Sequence, residues 1–112
     1  MEASELRIGN YLKHKNNFVF VDSIYENRFE CRVEKRFIDY SKINCDEFQP
    51  IELTEDLKTK IFTLFNSEYR IEWKNNRVHI YFHERYLATC DYVHEYQNIH
   101  FALTNEELTM NL

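Results

Sequence analysis

A chain of 112 residues with 44% hydrophobic and 16% aromatic side chains can bury a core without disulfide or metal staples, so it reads as one folded domain. Its formal charge of −5 is uneven: residues 1–45 hold eight Lys and Arg against seven Asp and Glu, and residues 46–112 hold six against twelve. An acidic second half speaks against nonspecific nucleic-acid binding, where cations supply the affinity, and favours a partner with a basic surface.

No apolar run reaches membrane length and no secretory leader is recognisable, so a cytoplasmic protein without a membrane partner is expected. Cys31, Cys45 and Cys90 are odd in number, far apart and form no Cys-x-x-Cys pair. They read as reduced thiols that fill core space, with neither disulfide nor zinc site. A single glycine excludes a phosphate-binding loop or dinucleotide fingerprint, and no cofactor is expected. Turns must then use asparagine, the next-best residue at positive φ. Asn16-Asn17, Asn27, Asn75-Asn76 and Asn105 fit that role.

In chain order, Leu6 to His14 reads as a first strand, with Gly9 as a bend. Lys15-Asn16-Asn17 reads as a turn. Phe18 to Ile24 is a strand with Val19 and Val21 on one face and Phe18 and Phe20 on the other. Glu26-Asn27 turns, and Arg28 to Val33 alternates with Phe29, Cys31 and Val33 inward. Glu34-Lys35 turns again before a strand from Arg36 to Ile43. Four such strands form an antiparallel meander or a small SH3-like barrel, which would protect the sheet edges.

Asn44 to Glu52 reads as a connector containing Pro50. A central helix is expected next, capped by Thr54 and stopped by Asn66-Ser67, with Leu57, Ile61, Leu64 and Phe65 as its buried stripe. The strongest signal follows. Tyr69, Ile71 and Trp73 alternate with Arg70, Glu72 and Lys74, and Val78, Ile80 and Phe82 alternate with Arg77, His79 and Tyr81. Asn75-Asn76 between them predicts a two-residue hairpin with Trp73 opposite Val78, Ile71 opposite Ile80 and Tyr69 opposite Phe82. A slip of one residue would bury Arg70 and Glu72. Glu84-Arg85 then turns into a third strand, Tyr86 to Cys90. A short helix is expected from Val93 to Asn98, because Phe101 spoils the apolar spacing, with Ile99-His100-Phe101 as a strand the alternative. Thr104 to Glu107 has capping-box spacing and suggests a last helical turn. The expected class is α+β: a β lobe over residues 1–45, then a lobe over 46–112 with one central helix and a three-stranded antiparallel meander.

Three segments carry a family resemblance. They are Leu6-Arg7-Ile8-Gly9-Asn10-Tyr11, then Pro50-Ile51-Glu52-Leu53-Thr54-Glu55, then the run from Val93 to Leu108, which contains His94, Gln97-Asn98 and Phe101-Ala102-Leu103-Thr104. In that order and spacing the chain resembles a group of small uncharacterised proteins from phages and prophages of Bacteroidetes. Members usually carry Gly where Asn105 stands, as a left-handed position would explain. They also often carry a Trp-Leu pair and a Phe-Gly-Phe run in the central helix, which this chain lacks. The resemblance implies a mobile-element setting, the cytoplasm of a host cell and no catalytic residue. It suggests a protein that binds host machinery, with an anti-CRISPR inhibitor of an RNA-guided nuclease as the sharpest form.

The candidate chemistry is sparse. His79 and His83, with Glu72 or Glu84, offer metal donors, but the spacing is not diagnostic and a polar hairpin face is the expected role. Cys90 with His94 and Asn98 offers a thiol and a base. Cys90 shares the buried parity of Ala88, however, and His94, Gln97 and Asn98 are expected to bond backbone, so no catalysis is expected. The candidate protein-binding residues are Glu72, Glu84, Tyr86, Asp91, Tyr92, Glu95 and Tyr96, with aromatics as anchors and carboxylates steering a basic partner. The alternative is a small-barrel nucleic-acid-binding module. It would use Lys13, Lys15, Arg32, Lys35 and Arg36 with Tyr11, Phe18 and Tyr25 as stacking rings.

Overall fold

The computed structural model describes residues 5–15, 17–24, 29–33 and 48–111. The protein is α+β, and its described residues form three small antiparallel sheets and two helices. The chain divides into two units, Met1–Ile51 and Glu52–Leu112. The first holds β1 (Tyr11–His14), β2 (Asn17–Ile24), β3 (Phe29–Val33) and β4 (Phe48–Gln49). The second holds α1 (Glu55–Lys58), β5 (Ile61–Phe62), β6 (Tyr69–Lys74), β7 (Arg77–Phe82), β8 (Arg85–Cys90), α2 (Val93–Thr104) and β9 (Thr109–Met110).

In the first unit the sheet order is β3-β2-β1-β4. Leu12 pairs with Val19, and Val21 with Cys31. These side chains are buried with Leu6, Phe29 and Phe48, as the alternation in β2 and β3 requires. Strand β1 begins at Tyr11, not at Leu6, and the reason is local. Gly9 bends the chain at φ +95°. Buried Asn10 then closes a turn: its Oδ1 accepts the Arg7 N–H at 2.7 Å, and its C=O accepts the Val21 N–H at 2.8 Å. Asn17 opens β2 opposite His14, so it belongs to the strand and not to the expected turn. The expected turns Glu26-Asn27 and Glu34-Lys35 and the strand from Arg36 to Ile43 lie outside the described residues. The strand beside β1 is instead β4, inside the stretch expected to be a connector. Phe48 secures it, with its ring 5.1 Å from Phe29 and 5.2 Å from His14. Among the described residues the outer strands β3 and β4 do not pair with each other. The sheet is open, and the expected barrel is not closed.

In the second unit the 69–82 hairpin forms in the expected register, with Tyr69, Ile71 and Trp73 opposite Phe82, Ile80 and Val78. Asn75 and Asn76 have φ of 54° and 58°, the left-handed pair that a two-residue hairpin needs. The next turn is His83-Glu84, also left-handed at φ 50° and 64°, one residue earlier than expected. Strand β8 follows, with a bulge where the register shifts between Ile80 and Tyr81.

The expected central helix is not formed beyond one turn. Thr54 sits at the N-cap but makes no side-chain cap bond, and α1 ends at Lys58. Ile61 and Phe62 instead pair with Met110 and Thr109, and Asn111 N–H extends the ladder to Lys60 C=O at 2.8 Å. The local run Ile61-Phe62-Thr63 is β-branched and aromatic, which favours extended backbone. Leu57 and Ile61 are buried, but Leu64 is 59% exposed and belongs to no stripe. The main helix is α2, twice the length expected from Val93 to Asn98. The Glu95 carboxylate accepts the N–H groups of Asp91 (2.9 Å) and Tyr92 (3.1 Å), satisfying donors at its start. Asn105, left-handed at φ 60°, ends it by donating to Phe101 C=O. Thr104 is therefore the last helical residue, not the cap of a new helix, and β9 replaces the expected terminal turn. No described helix is long and apolar enough to cross a membrane.

Candidate functional site

Strict alternation in β6 and β7 sends one set of side chains inward and the other to an outer face. Inward, Val78 and Ile80 are fully buried, and Trp73 meets the Tyr96 ring of α2 at 6.0 Å. Outward, the register builds rows across three strands. Arg70 lies beside Tyr81, which lies beside Tyr86; Glu72 lies beside His79, which lies beside Thr89.

The first row is a stack. The Arg70 guanidinium sits 4.0 Å from the Tyr81 ring centre, and the Tyr81 and Tyr86 rings meet edge-on at 6.0 Å. Arg70 also bridges two carboxylates, Glu72 at 2.9 Å and Glu84 at 3.1 Å. The Glu72 hydrogen bond, then the Glu84 charge, push its already high pKa further up. In the second row His79 Nδ1 lies 3.0 Å from Thr89 Oγ1, which lies 2.8 Å from the Tyr86 hydroxyl. Arg77 pairs with Asp91 at 2.6 Å at the far end. There an open depression is lined by Glu52, Asn75, Asn76, Arg77, Asp91 and Tyr92. The outer face is therefore held in shape by contacts that cross strands. These exposed ion pairs stabilise the fold little, since solvent screens them.

Of the seven residues expected to bind protein, Glu72 and Glu84 meet at Arg70, and Tyr86 stands on the same face against Tyr81. Tyr86 is 61% exposed, with Leu87 beside it at 43%. Asp91 is engaged with Arg77. Tyr92 and Glu95 stand at the start of α2, where Glu95 accepts backbone N–H groups and the Tyr92 ring stacks on His94 at 5.9 Å. Tyr96 is 1% exposed and belongs to the core, so it is not available as an anchor. Its position on the inner side of α2 puts it against Trp73, and burial pushes its pKa up. Arg70, Tyr81 and Thr89 were missed. The first two stand at outward positions directly opposite each other in the hairpin register, so the pairing arithmetic contained the signal.

The chemistry of the other candidates is restrained. Cys90 is 3% exposed; burial first, then the charges of Glu95 and Asp91, push its thiol up to about 12. At neutral pH it stays a protonated thiol, a poor nucleophile. His83 occupies a turn 3.8 Å from Glu68, while His79 faces Thr89. Among the described residues no group of three or more His, Cys, Asp or Glu is placed to hold a metal ion.

In the first unit Lys13 and Lys15 are exposed. Lys13 is paired with Phe18, itself 39% exposed, and Tyr11 is paired with Phe20 at 6.2 Å between rings. Arg32 is the β3 residue in register with Phe20. Tyr25, Lys35 and Arg36 lie outside the described residues. Compared with protein-family models, curated proteins and solved structures, the chain matches none.

Proposed function

We propose that this is a non-enzymatic, protein-binding protein of a phage or other mobile element. The outer face of β6, β7 and β8 docks on a host protein with a basic surface. The observation that carries the reading is Tyr86, a large aromatic left 61% exposed on β8 and braced by Tyr81 and Thr89. An immobilised tyrosine offers contact area at low entropic cost, which is what interface anchors share. Charge agrees: residues 52–112 carry ten Asp and Glu against six Lys and Arg. The resemblance of the three sequence segments supports the mobile-element setting and an inhibitor of a host defence nuclease as the sharpest form.

The test is affinity capture from a Bacteroidetes host lysate at moderate salt, with wild type beside Tyr86→Ser and Glu84→Lys. A partner that wild type retains should be weakened roughly 30-fold or more by Tyr86→Ser, the scale of an interface hot spot. Equal retention by all three proteins would remove this face from the reading, and no retained protein would remove the function. Unchanged cleavage by an RNA-guided nuclease in the presence of excess protein would remove the nuclease-inhibitor form.

A second reading rests on its own observation. Tyr11, Phe18 and Phe20 share the outer face of β1 and β2 with exposed Lys13. Rings beside a cation on the two central strands of an open sheet can stack unpaired bases. A gel shift with short single strands, lost in Phe18→Ala with Lys13→Glu, supports nucleic-acid binding. No shift with wild type removes it.

A further inference from the structure

His100 is fully buried in α2, and both of its ring nitrogens are engaged. Nε2 accepts the backbone N–H of Leu64 at 2.9 Å. Nδ1 lies 2.9 Å from the carbonyl oxygen of Glu106, which can only accept. The two bonds fix one protonation state: neutral imidazole, with hydrogen on Nδ1 and a bare Nε2.

The partners belong to segments far apart in sequence. Leu64 follows β5, and Glu106 precedes β9. Those two strands are two residues long and pair with each other. Phe62 and Leu64 project outward, 54% and 59% exposed, so few apolar side chains anchor the first segment beyond Ile61 and Phe65. Phe65 itself packs edge-on against the His100 ring at 4.8 Å. Thr104 completes the cluster. Its hydroxyl donates to His100 C=O at 2.7 Å and accepts the Glu106 N–H at 3.1 Å.

We propose that His100 is a protonation-sensitive latch. In its neutral form it fastens the β5 segment and the C-terminal segment to α2, and acidification releases both together. The proton comes from solvent and lands on Nε2, where the new N–H faces the Leu64 N–H. Two donors then meet, the Leu64 bond breaks and the imidazolium must reach water. The titratable groups facing the ring are Glu106 and Glu107, whose charges favour the imidazolium. Burial outweighs them and lowers the His100 pKa from 6.5. The sign follows. A lowered folded-state pKa stabilises the closed form fully above 6.5, and the stabilisation is lost as pH falls through the window below it. Within that window one proton is taken up on opening, so the opening equilibrium shifts by about tenfold per pH unit.

Nitrogen-15 spectra of the imidazole and amide hydrogen exchange, corrected for intrinsic rates, test this on the whole chain. At pH 7.5 the His100 ring should carry its proton on Nδ1. As pH falls through the window below 6.5 the Leu64 and Asn111 amides should lose protection together, about tenfold per unit, while the Val78 and Ile80 amides, which face β8, keep theirs. His100→Asn retains a donor for Glu106 and cannot titrate, so its Leu64 protection should be independent of pH. A proton on Nε2 at pH 7.5, or titration of His100 with Leu64 protection unchanged, would overturn the latch. So would simultaneous loss of the Val78 and Ile80 amides, or a His100→Asn protein that keeps the wild-type pH dependence.

Discussion

Ile80 stands at the centre of the second sheet, fully buried, with Ile71 on one side and Ala88 on the other. Ile80→Ala removes three carbons from that position. At about 0.8 kcal/mol per buried methylene the transfer loss is about 2.4 kcal/mol. The sheet backbone on both sides limits collapse, so the cavity adds to this and the total is about 3–4 kcal/mol. Lys74→Ala, at an exposed position on the same hairpin, should change stability by less than about 0.5 kcal/mol. Trp73 is the one tryptophan and lies on the inner face against Tyr96, so its fluorescence follows urea unfolding of this unit directly. The urea midpoint should fall for Ile80→Ala with an unchanged slope. A loss under about 1 kcal/mol, or similar losses for both variants, would refute the claim that β7 is buried along one face only.

Three further outcomes follow from single contacts. Asn105→Gly should stabilise the protein by a few tenths of a kcal/mol to about 1, and Asn105→Val should destabilise it by about 1–2, because φ 60° suits glycine and strains a β-branched residue; thermal melts decide. Glu95→Ala should cost about 1 kcal/mol by orphaning the Asp91 and Tyr92 N–H groups, measured in urea, with Glu95→Gln recovering part of the loss. Cys90 should resist alkylation in the native protein at pH 8 and react in urea, as peptide mapping would show. Because its pKa is raised from 9.0 to about 12, its contribution to stability is complete below pH 9 and lost as pH climbs toward 12. Rapid native labelling at pH 8 would contradict the burial.

The parts legible in the sequence are those in which neighbouring residues decide the structure. The period of two from Tyr69 to Phe82 and the Asn75-Asn76 pair specify a register that local pairing then realises. The same holds for Val19 and Val21 in β2. The stretch from Thr54 to Phe65 misleads because its apolar spacing fits a helix, while the deciding partner, Thr109–Met110, lies more than forty residues on. Periodicity carries no information about such a partner. Phe101 argued for ending α2 early, yet the helix accommodates it half-buried and runs to Thr104. Of the outer face of β6, β7 and β8, outward parity was legible at Glu72 and Tyr86. Tyr96 was misplaced because which side of a short helix faces the sheet depends on docking, not on the helix sequence. His100 was invisible for the same reason, since the residues it ties together, Leu64 and Glu106, are neighbours only in space.

The inner side of α2 buries His94, Gln97 and His100 alongside Val93 and Tyr96. A twelve-residue helix with so mixed a stripe has little reason to form alone in water, where nucleation is unfavourable and its polar side chains prefer solvent. The hairpin needs only contacts close in sequence and closes through a two-residue corner. Assembly of this unit should therefore begin at Asn75-Asn76 and finish when α2 settles onto the completed sheet. The helix is a late arrival, and a peptide cut from residues 91–111 should remain largely a coil.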